Sequence, residues 1–260
     1  MSESILGLED KVVVVTGSSQ GVGLGCARQF ARVGADVVLV GRRAEPLNAA
    51  ALELRALGGE VLTVTADVTQ QEDIERMVSA TMERFGRIDV AVNNVGGRRG
   101  KPEGTLLDSG RDYWEQTLDV NLTTVLACTQ AFARAMMEKD TRGVIVNVAS
   151  TTAYKATPHL APYGAAKAGL LQLTKTLALE LAPQRIRVVG VSPGMTDTDA
   201  LREFMNDETI AARAQHLPAG RVGVPDDLGR VVVMMASELG AWVYGATLVA
   251  DGGELIAEGG

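Results

Sequence analysis

Residues 12–23 read VVVVTGSSQGVG, and this stretch decides the fold. Its four valines are β-branched and uninterrupted, which is typical of a strand buried on both faces of a parallel sheet. Gly17, Gly21 and Gly23 follow in a turn, and apolar residues at helical spacing continue as far as Gly34. In this context a glycine motif indicates nucleotide binding, because backbone N–H groups at a helix N-terminus favour a pyrophosphate. A tight turn without a ligand is the alternative.

The second strand, residues 36–40, ends at Gly41, Arg42 and Arg43, and its tip predicts the choice of cofactor. In dinucleotide-binding sheets an acidic residue holds the ribose 2′-hydroxyl of NAD, whereas an Arg accommodates the 2′-phosphate of NADP. Asp36 is not that acid, because it begins the strand, roughly 16 Å from Gly41 at about 3.3 Å per residue. The two arginines therefore favour NADP over NAD. Solvated loop charges are the alternative interpretation.

A second informative stretch is residues 150–167, which follows the apolar run 144–149. Ser150 lies at the carboxyl end of that predicted strand, where open α/β sheets bind ligands. Tyr163 and Lys167 are four residues apart on a predicted helix, so they share one helical face. A phenol titrates near pH 10, and lowering its pKa to neutrality takes about 4 kcal/mol, which a neighbouring cation can supply. A surface Tyr and Lys that share a helix by chance are the alternative.

These motifs together resemble those of the short-chain dehydrogenase/reductase family, in its compact branch. The glycine turn reads Thr-Gly-x-x-x-Gly-x-Gly from Thr16, and Ser150 precedes the Tyr-x-x-x-Lys pair by thirteen residues. The resemblance extends over about residues 8–253. It implies a doubly wound Rossmann-type α/β sandwich, with a seven-stranded, mostly parallel sheet and helices on both faces. It also implies an NADP(H)-dependent enzyme that interconverts a ketone and a secondary alcohol.

The resemblance assigns catalytic roles to four residues. Ser150 would hydrogen-bond the carbonyl oxygen, Tyr163 would give or take the proton, and Lys167 would favour the phenolate and hold the nicotinamide ribose. Asn121 lies on the apolar face of a helix predicted over residues 112–139. Many members of the family have there an Asn that holds a proton-relaying water. A structural Asn bonded to backbone is the alternative, since a buried polar group needs partners.

The remaining contacts that the resemblance implies are with the cofactor. Asp67 and Val68 would lie along the adenine ring, although an ordinary strand-end Asp67 is an equal alternative. Gln20 departs from the family pattern, in which many NADP-binding members carry a basic residue.

Thr69 and Glu72 are predicted to form a capping box for the next helix. The cofactor set is Gly17, Ser19, Gln20, Gly21, Val22, Arg42, Arg43, Asp67, Val68, Asn94, Tyr163, Lys167, Pro193, Gly194 and Thr198.

Two further segments are predicted to shape the mouth of the site. Residues 97–111 form a glycine-rich loop with the basic residues Arg98, Arg99, Lys101 and Arg111. Such a loop can attract an acidic substrate or a cofactor phosphate, and a solvated run of charge is the alternative. Residues 195–217 are predicted as a largely helical flap, which in the family covers the substrate.

Composition excludes several other functions. A net charge of −7 argues against a nucleic-acid interface. No apolar run approaches the roughly 18 residues of a membrane span, and the N-terminus does not read as a secretory signal. The buried-type residues Cys26 and Cys128, like His159 and His216, form no metal-ligand pattern. We therefore expect one metal-free domain over residues 1–260, cytoplasmic, and by resemblance a homo-oligomer, typically a tetramer.

Two other functions are compatible with this sequence. One is an NAD-dependent alcohol or sterol dehydrogenase, which would share every catalytic residue. The other is a nucleotide-sensing protein without turnover, which a broken Ser-Tyr-Lys set would favour and which the intact set here does not. The small-molecule carbonyl or alcohol substrate cannot be identified from these motifs, because they are common to 3-oxoacyl-carrier-protein reductases and to sugar, steroid and xenobiotic ketone reductases.

Overall fold

The computed structural model describes residues 5–97 and 106–257. Over these residues the strands form a seven-stranded parallel sheet in the order β3-β2-β1-β4-β5-β6-β7. The strands are β1 (Val12–Thr16), β2 (Asp36–Gly41), β3 (Val61–Thr65), β4 (Val90–Asn93), β5 (Val144–Val148), β6 (Arg187–Pro193) and β7 (Thr247–Ala250). The predicted doubly wound sandwich is confirmed. The sheet is predicted to be mostly parallel, and every pairing between these described strands is parallel.

Helices cover both faces of this sheet. They are α1 (Gly21–Arg32), α2 (Ala44–Arg55), α3 (Gln71–Phe85), α4 (Arg111–Leu118), α5 (Thr124–Glu138), α6 (Ala161–Leu181), α7 (Asp199–Arg202), α8 (Asp207–Ala214) and α9 (Pro225–Ala236). Among the helices of residues 5–97 and 106–257, none is both long and apolar enough to cross a membrane.

The hydrophobic core has two layers because side chains alternate across each strand. Val13 and Val15 pack with α1, α2 and α9 on one face, whereas Val12 and Val14 pack with α3, α5 and α6 on the other. The near-continuous apolar strands therefore follow from burial on both faces. Cys26 and Cys128 belong to opposite layers, and burial raises the pKa of each thiol to about 12.

The order of the strands in the sheet determines where a ligand-binding crevice forms. From β1 the chain continues outward to β2 and β3 on one side, and then crosses back to β4 on the other. The loops after β1 and β4 therefore diverge and leave a crevice at the carboxyl ends of the strands, where open α/β sheets bind ligands.

The helix predicted over residues 112–139 is interrupted. A π-helical turn, Asp119–Thr123, lies between α4 and α5 and contains Asn121. A single inserted residue rotates the following helix by about 100° but leaves the apolar spacing within each helix intact, so the pattern of either helix alone does not reveal it. The flap is likewise less helical than predicted, because α7 and α8 are short and are separated by a turn.

The predicted capping box of Thr69 and Glu72 is wrong. The Asp67 Oδ1 atom accepts hydrogen bonds from Thr69 N at 3.1 Å and from Thr69 Oγ1 at 2.8 Å. Helix α3 starts only at Gln71, and Gln70 stands before it without a side-chain cap. The Thr69 hydroxyl therefore donates to Asp67, just after β3, and does not cap α3.

Candidate active site

A cleft of about 690 Å³ opens at the carboxyl ends of the strands. It brings together every residue of the predicted site except Asn121. The predicted residues that line it are Gly17, Ser19, Gln20, Gly21, Val22, Arg42, Arg43, Asp67, Val68, Asn94, Ser150, Tyr163, Lys167, Pro193, Gly194 and Thr198.

The glycine turn forms one wall of the cleft between β1 and α1. Gly17 and Gly21 have φ of 65° and 58°, a conformation that residues with a Cβ rarely adopt. A Cβ on Gly23 would collide with the Gly17 carbonyl oxygen. The Asn94 side chain donates to Thr16 O at 3.0 Å and to Gly17 O at 3.1 Å, which holds the turn against the end of β4. The result is a backbone cradle at a helix N-terminus, which suits a pyrophosphate.

Two exposed arginines stand at the tip of β2. Arg42 and Arg43 both line the cleft, and Arg43 Nη2 donates to Gln20 Oε1 at 3.1 Å. Gln20 reaches this point from the glycine turn, so the two loops meet through their side chains. The arrangement leaves positive charge facing the part of the cleft nearest β2, where an additional phosphate would be favoured.

Asp67, just after β3, forms hydrogen bonds within its own loop and with α3. Its carboxylate is bonded to Thr69, as described above, while its backbone N–H donates to Asp73 Oδ2 at 2.7 Å. Asp67 and Val68 nevertheless line the cleft beside the arginines. Both interpretations of Asp67 are therefore compatible with its position.

Lys167 lies at the opposite end of the cleft and is 3% exposed. Its Nζ atom donates to Val148 O at 2.8 Å and lies 5.7 Å from the centre of the Tyr163 ring. Burial lowers the pKa of Lys167 from 10.5 to about 8, because the charged form loses solvation. Helix α6 starts at Ala161 with Pro162 in its first turn, as the sequence predicts, and so carries both side chains on one face.

Ser150 follows β5 and is oriented by its neighbour. Its Oγ atom accepts from Thr152 N at 3.2 Å and from Thr152 Oγ1 at 3.0 Å. Because Ser150 is the acceptor in both bonds, its own O–H remains a donor for a ligand oxygen. A serine donor, a tyrosine and a buried lysine thus surround one end of the cleft.

Asn121 is fully buried behind that end and does not line the cleft. Its Oδ1 atom accepts from Gly97 N at 2.9 Å, and its Nδ2 atom donates to Gly97 O and to Thr117 O, both at 2.8 Å. The side chain therefore ties the loop after β4 to the π-helical turn. A Cβ on Gly96 would lie 2.7 Å from Asn121 Oδ1 and 3.1 Å from Lys167 Nζ, so Gly96 permits this close approach.

Several residues that line the cleft are not in the predicted set. Leu160, Met195, Leu201 and Phe204 form an apolar part of the wall, and Gly96 adds backbone. Leu201 and Phe204 are apolar positions of the predicted flap, which was the available signal for them. Leu160 and Met195 stand next to motif residues but have no motif of their own.

The basic loop contributes little to the described site. Arg98, Arg99 and Lys101 lie outside the described residues. Arg111 begins α4 at the surface, where its Nε atom lies 2.6 Å from Glu115 Oε1. His159 is exposed, with φ of 64°, and is not part of the cleft wall.

Comparison with known proteins identifies relatives over nearly the whole chain. A family model described as Enoyl-(Acyl carrier protein) reductase matches residues 17–254. The 3-oxoacyl-[acyl-carrier-protein] reductase FabG of Chlamydia pneumoniae is 37% identical over 246 residues, 95% of this chain and 97% of that protein. L-rhamnose 1-dehydrogenase (NAD(P)(+)) of Azotobacter vinelandii is 38% identical over 251 residues, 95% of this chain and 97% of that protein.

Solved structures agree with these sequence matches. A 7α-hydroxysteroid dehydrogenase complexed with NADH and 7-oxo glycochenodeoxycholic acid superposes with a TM-score of 0.90. It is 29% identical, and the match covers 97% of both chains. A short-chain type dehydrogenase/reductase from Mycobacterium marinum has a TM-score of 0.89 and 32% identity, over 96% of this chain and 97% of that one.

Proposed function

The chain belongs to the short-chain dehydrogenase/reductase family, and we propose that it is an NADP(H)-dependent oxidoreductase that interconverts a ketone and a secondary alcohol. The observation that carries the proposal is the buried ammonium of Lys167 beside Tyr163, at one end of a cleft that has a glycine cradle along its wall. Burying a charged group is unfavourable for folding, and the Lys167 ammonium donates to a neutral backbone carbonyl, so its position beside a phenol favours a chemical role.

The chain's own residues divide the reaction between them. A bound nicotinamide nucleotide supplies the hydride in reduction and accepts it in oxidation. The Ser150 O–H donates a hydrogen bond to the carbonyl oxygen. Tyr163 donates its phenolic proton to that oxygen in reduction and, as phenolate, removes the proton from the alcohol in oxidation. Lys167 lowers the free energy of the phenolate through its charge.

The predicted role of Asn121 as the holder of a relaying water stays a proposal. Its side chain is bonded to Gly97 and Thr117, which supports the structural alternative equally well. Asn121 is therefore proposed as a support for the loop after β4 first, and as the holder of a relaying water second.

The cradle and the arginines support NADP(H) as the cofactor. Gly17, Gly21 and Asn94 form a cradle that suits the pyrophosphate, and Arg42 with Arg43 would hold the 2′-phosphate. NAD remains the second candidate on a specific ground: Gln20 is neutral where many NADP-binding members are basic. The related 7α-hydroxysteroid dehydrogenase was solved with NADH.

The substrate end of the cleft favours a ketone with an apolar part. Leu160, Met195, Leu201 and Phe204 line the same cleft as the catalytic residues. Their burial by an apolar substituent would contribute about 25 cal/mol per Å² of surface removed from water. The named relatives include a 3-oxoacyl-[acyl-carrier-protein] reductase, an L-rhamnose 1-dehydrogenase and a 7α-hydroxysteroid dehydrogenase, so this proposal concerns the shape of the substrate and not its identity.

We also propose a homo-oligomer, and the surface beside β7 supports it. Trp242 is 97% exposed, Leu179 is 80% exposed and Tyr244 is 50% exposed. β7 is an edge strand of the described sheet, and exposed apolar residues beside an open edge favour contact with another chain. A tetramer, a cytoplasmic location and a single domain over residues 1–260 stay predictions; strands from both halves of the chain share one sheet, which supports the last.

The test is oxidation of NADPH, with NADH in parallel, across a short 3-oxoacyl thioester, a keto sugar, a cyclic terpenoid ketone, a ketosteroid and a quinone. Turnover of one class with NADPH is the expected result. Turnover with NADH alone would overturn the cofactor proposal. Binding of neither nucleotide, measured by fluorescence titration, would overturn the proposed function as a whole.

A further inference from the structure

The turn that follows β7 packs against two loops of the reacting end of the cleft. Asp251 Oδ1 accepts from Gly253 N at 2.8 Å, and Asp251 Oδ2 accepts from Leu255 N at 2.8 Å. Gly252 and Gly253 both have positive φ, of 63° and 92°. These bonds give the turn a defined shape. The turn presents the side chain of Glu254, which is 13% exposed, toward the interior.

One carboxylate, that of Glu254, joins the ends of three strands. Its Oε2 atom accepts from Met195 N at 2.9 Å, in the loop after β6, and from Thr151 Oγ1 at 3.4 Å, in the loop after β5. Its Oε1 atom lies 2.9 Å from Lys155 Nζ, also in the loop after β5. Glu254 is itself part of the segment after β7.

Both of the joined loops belong to the cleft wall. Thr151 directly follows Ser150, and Met195 directly follows Gly194. A Cβ on Gly194 would lie 2.7 Å from Glu254 Oε2 and 2.5 Å from Asp251 Cβ, so the wall is in contact with the turn. Glu254 stands behind this wall and not in the cleft, which makes it a support and not a contact of the substrate.

We propose that Glu254 is a positioning residue that, together with Lys155, sets the distance between Ser150 and the wall at Gly194 and Met195. This inference rests on the proposed function for its catalytic consequence. Ser150 fixes the carbonyl oxygen, and the opposite wall limits how the rest of the ketone turns about it. Their separation therefore controls which face of the carbonyl receives the hydride, and so the handedness of the alcohol.

An ion pair of this kind can also be merely structural. Partly exposed pairs contribute little to stability, and a carboxylate that accepts a backbone N–H contributes somewhat more. The two roles differ in what they change. A structural role changes the melting temperature alone, whereas a positioning role changes kcat and product stereochemistry while the nucleotide still binds.

The first experiment compares Glu254→Ala and Glu254→Gln with a matched control, Glu53→Gln. Glu53 pairs with Arg28 between α2 and α1, away from the reacting end of the cleft. For Glu254→Ala we expect kcat to fall about tenfold to a hundredfold, with the NADPH Kd changed less than about twofold, since a misplaced reacting geometry lowers the rate without removing cofactor contacts. The enantiomeric excess of the alcohol from a prochiral ketone should fall with it.

Glu254→Gln separates the hydrogen bonds of the carboxylate from its charge. The amide oxygen can still accept from Met195 N, but the charge that pairs with Lys155 is lost. We expect a smaller fall in kcat than for Glu254→Ala, and no further fall when Lys155→Met is added, because the two residues act as one unit. Unchanged kcat and stereochemistry in Glu254→Ala, with only a lower Tm, would overturn the proposal. So would additive effects of Glu254→Gln and Lys155→Met.

A second measurement does not depend on turnover. Amide hydrogen exchange at Met195 in the cofactor-free protein reports directly on the bond to Glu254. We expect this exchange to be faster in Glu254→Ala than in the wild type and unchanged in Glu53→Gln; equal rates in Glu254→Ala would overturn the positioning role. If the wild type reduced no ketone with either nucleotide, the proposed function would fail, while this exchange rate would still show whether Glu254 holds the loop after β6.

Discussion

Lys167 and Arg43 are both cations of the cleft, yet their surroundings are opposite. Lys167 is 3% exposed and bonded to the backbone of β5, whereas Arg43 is exposed and bonded to the side chain of Gln20. Asn121, behind the same end of the cleft, is 0% exposed. Around Arg43 the neighbouring Arg42 is also exposed.

Because of this difference, the two ends of the cleft should differ in which substitutions they tolerate. A buried charge depends on every group packed around it, so the reacting end is specified by the whole fold. An exposed charge is screened by solvent and contributes little to stability, so it can be exchanged without loss of the fold. Under the proposed function, the chemistry is thus tied to the core, while the choice of cofactor is tied to the surface.

The strongest test of the buried end is Tyr163→Phe. The variant keeps the ring beside Lys167 but lacks the proton donor, and general acid–base catalysis contributes about 100-fold to 10,000-fold. We expect kcat to fall by about 1,000-fold, with a NADPH Kd within about twofold of the wild type. Tyr154→Phe, in the nearby loop where Tyr154 is 46% exposed, is the matched control. Retained turnover would remove Tyr163 from the mechanism.

A second test of the buried end is the pH dependence of stability. Burial lowers the pKa of Lys167 to about 8 from the 10.5 of an exposed lysine, so between these values the unfolded chain binds a proton that the folded chain has released. Stability conferred by this group therefore rises with pH in that window and is constant below it. Lys167→Met removes the titration. We expect the wild type to gain about 3 kcal/mol relative to Lys167→Met between pH 8 and pH 10.5.

Urea unfolding of the cofactor-free protein at fixed chain concentration measures this difference. Lys175→Met is the control, since Lys175 is exposed on the same helix. The difference in unfolding free energy between the wild type and Lys175→Met should stay constant from pH 8 to pH 10.5. A constant difference between wild type and Lys167→Met from pH 8 to pH 10.5 would mean that Lys167 stays protonated in the folded state.

The sequence is most informative where a pattern is local. The valines of β1, the glycines after them and the spacing from Ser150 to Lys167 each lie within one short stretch, and the fold and most of the cleft wall follow from them. The order of the strands has little effect on where the site lies, because parallel strands with crossover helices bring all the carboxyl ends to one edge of the sheet.

Contacts between distant residues have no comparable pattern. Asn121 bonds Gly97 from 24 residues away, and Glu254 meets Met195 from 59 residues away. The π-helical turn around Asn121 is hidden for a related reason, since the apolar spacing resumes on its far side. Such features follow from tertiary packing and backbone geometry, and one sequence carries no periodic signal for them.

The exposed end should respond to charge in a selective manner. Under the proposed function, Arg42→Asp or Arg43→Asp would place a carboxylate beside the 2′-phosphate of NADP or the 2′-hydroxyl of NAD. We expect NADPH affinity to fall by about 10-fold to 100-fold, the value of one charged hydrogen bond, while NADH affinity is kept or improved. The folded state should be unaffected because both side chains are exposed.

Arg134→Asp is the control for this exchange, because Arg134 is exposed on α5 and carries the same change of charge. Equal effects of Arg42→Asp and Arg134→Asp on NADPH binding would mean that only the overall charge matters. No fall in NADPH affinity in either Arg42→Asp or Arg43→Asp would favour NAD as the cofactor.

The smallest expected effect is that of Gln20→Ala. Gln20 is neutral and meets Arg43 through a single 3.1 Å bond at the surface, so its contribution is to orient the guanidinium. An exposed hydrogen bond is worth about 1 kcal/mol or less, and we expect NADPH affinity to fall roughly twofold to fivefold. Gln20→Ala should have no effect in an Arg43→Gln background, since nothing is left to orient. A larger fall, or one that persists without Arg43, would mean that Gln20 contacts the nucleotide itself, and the exposed end would then depend on a specific contact as the buried end does.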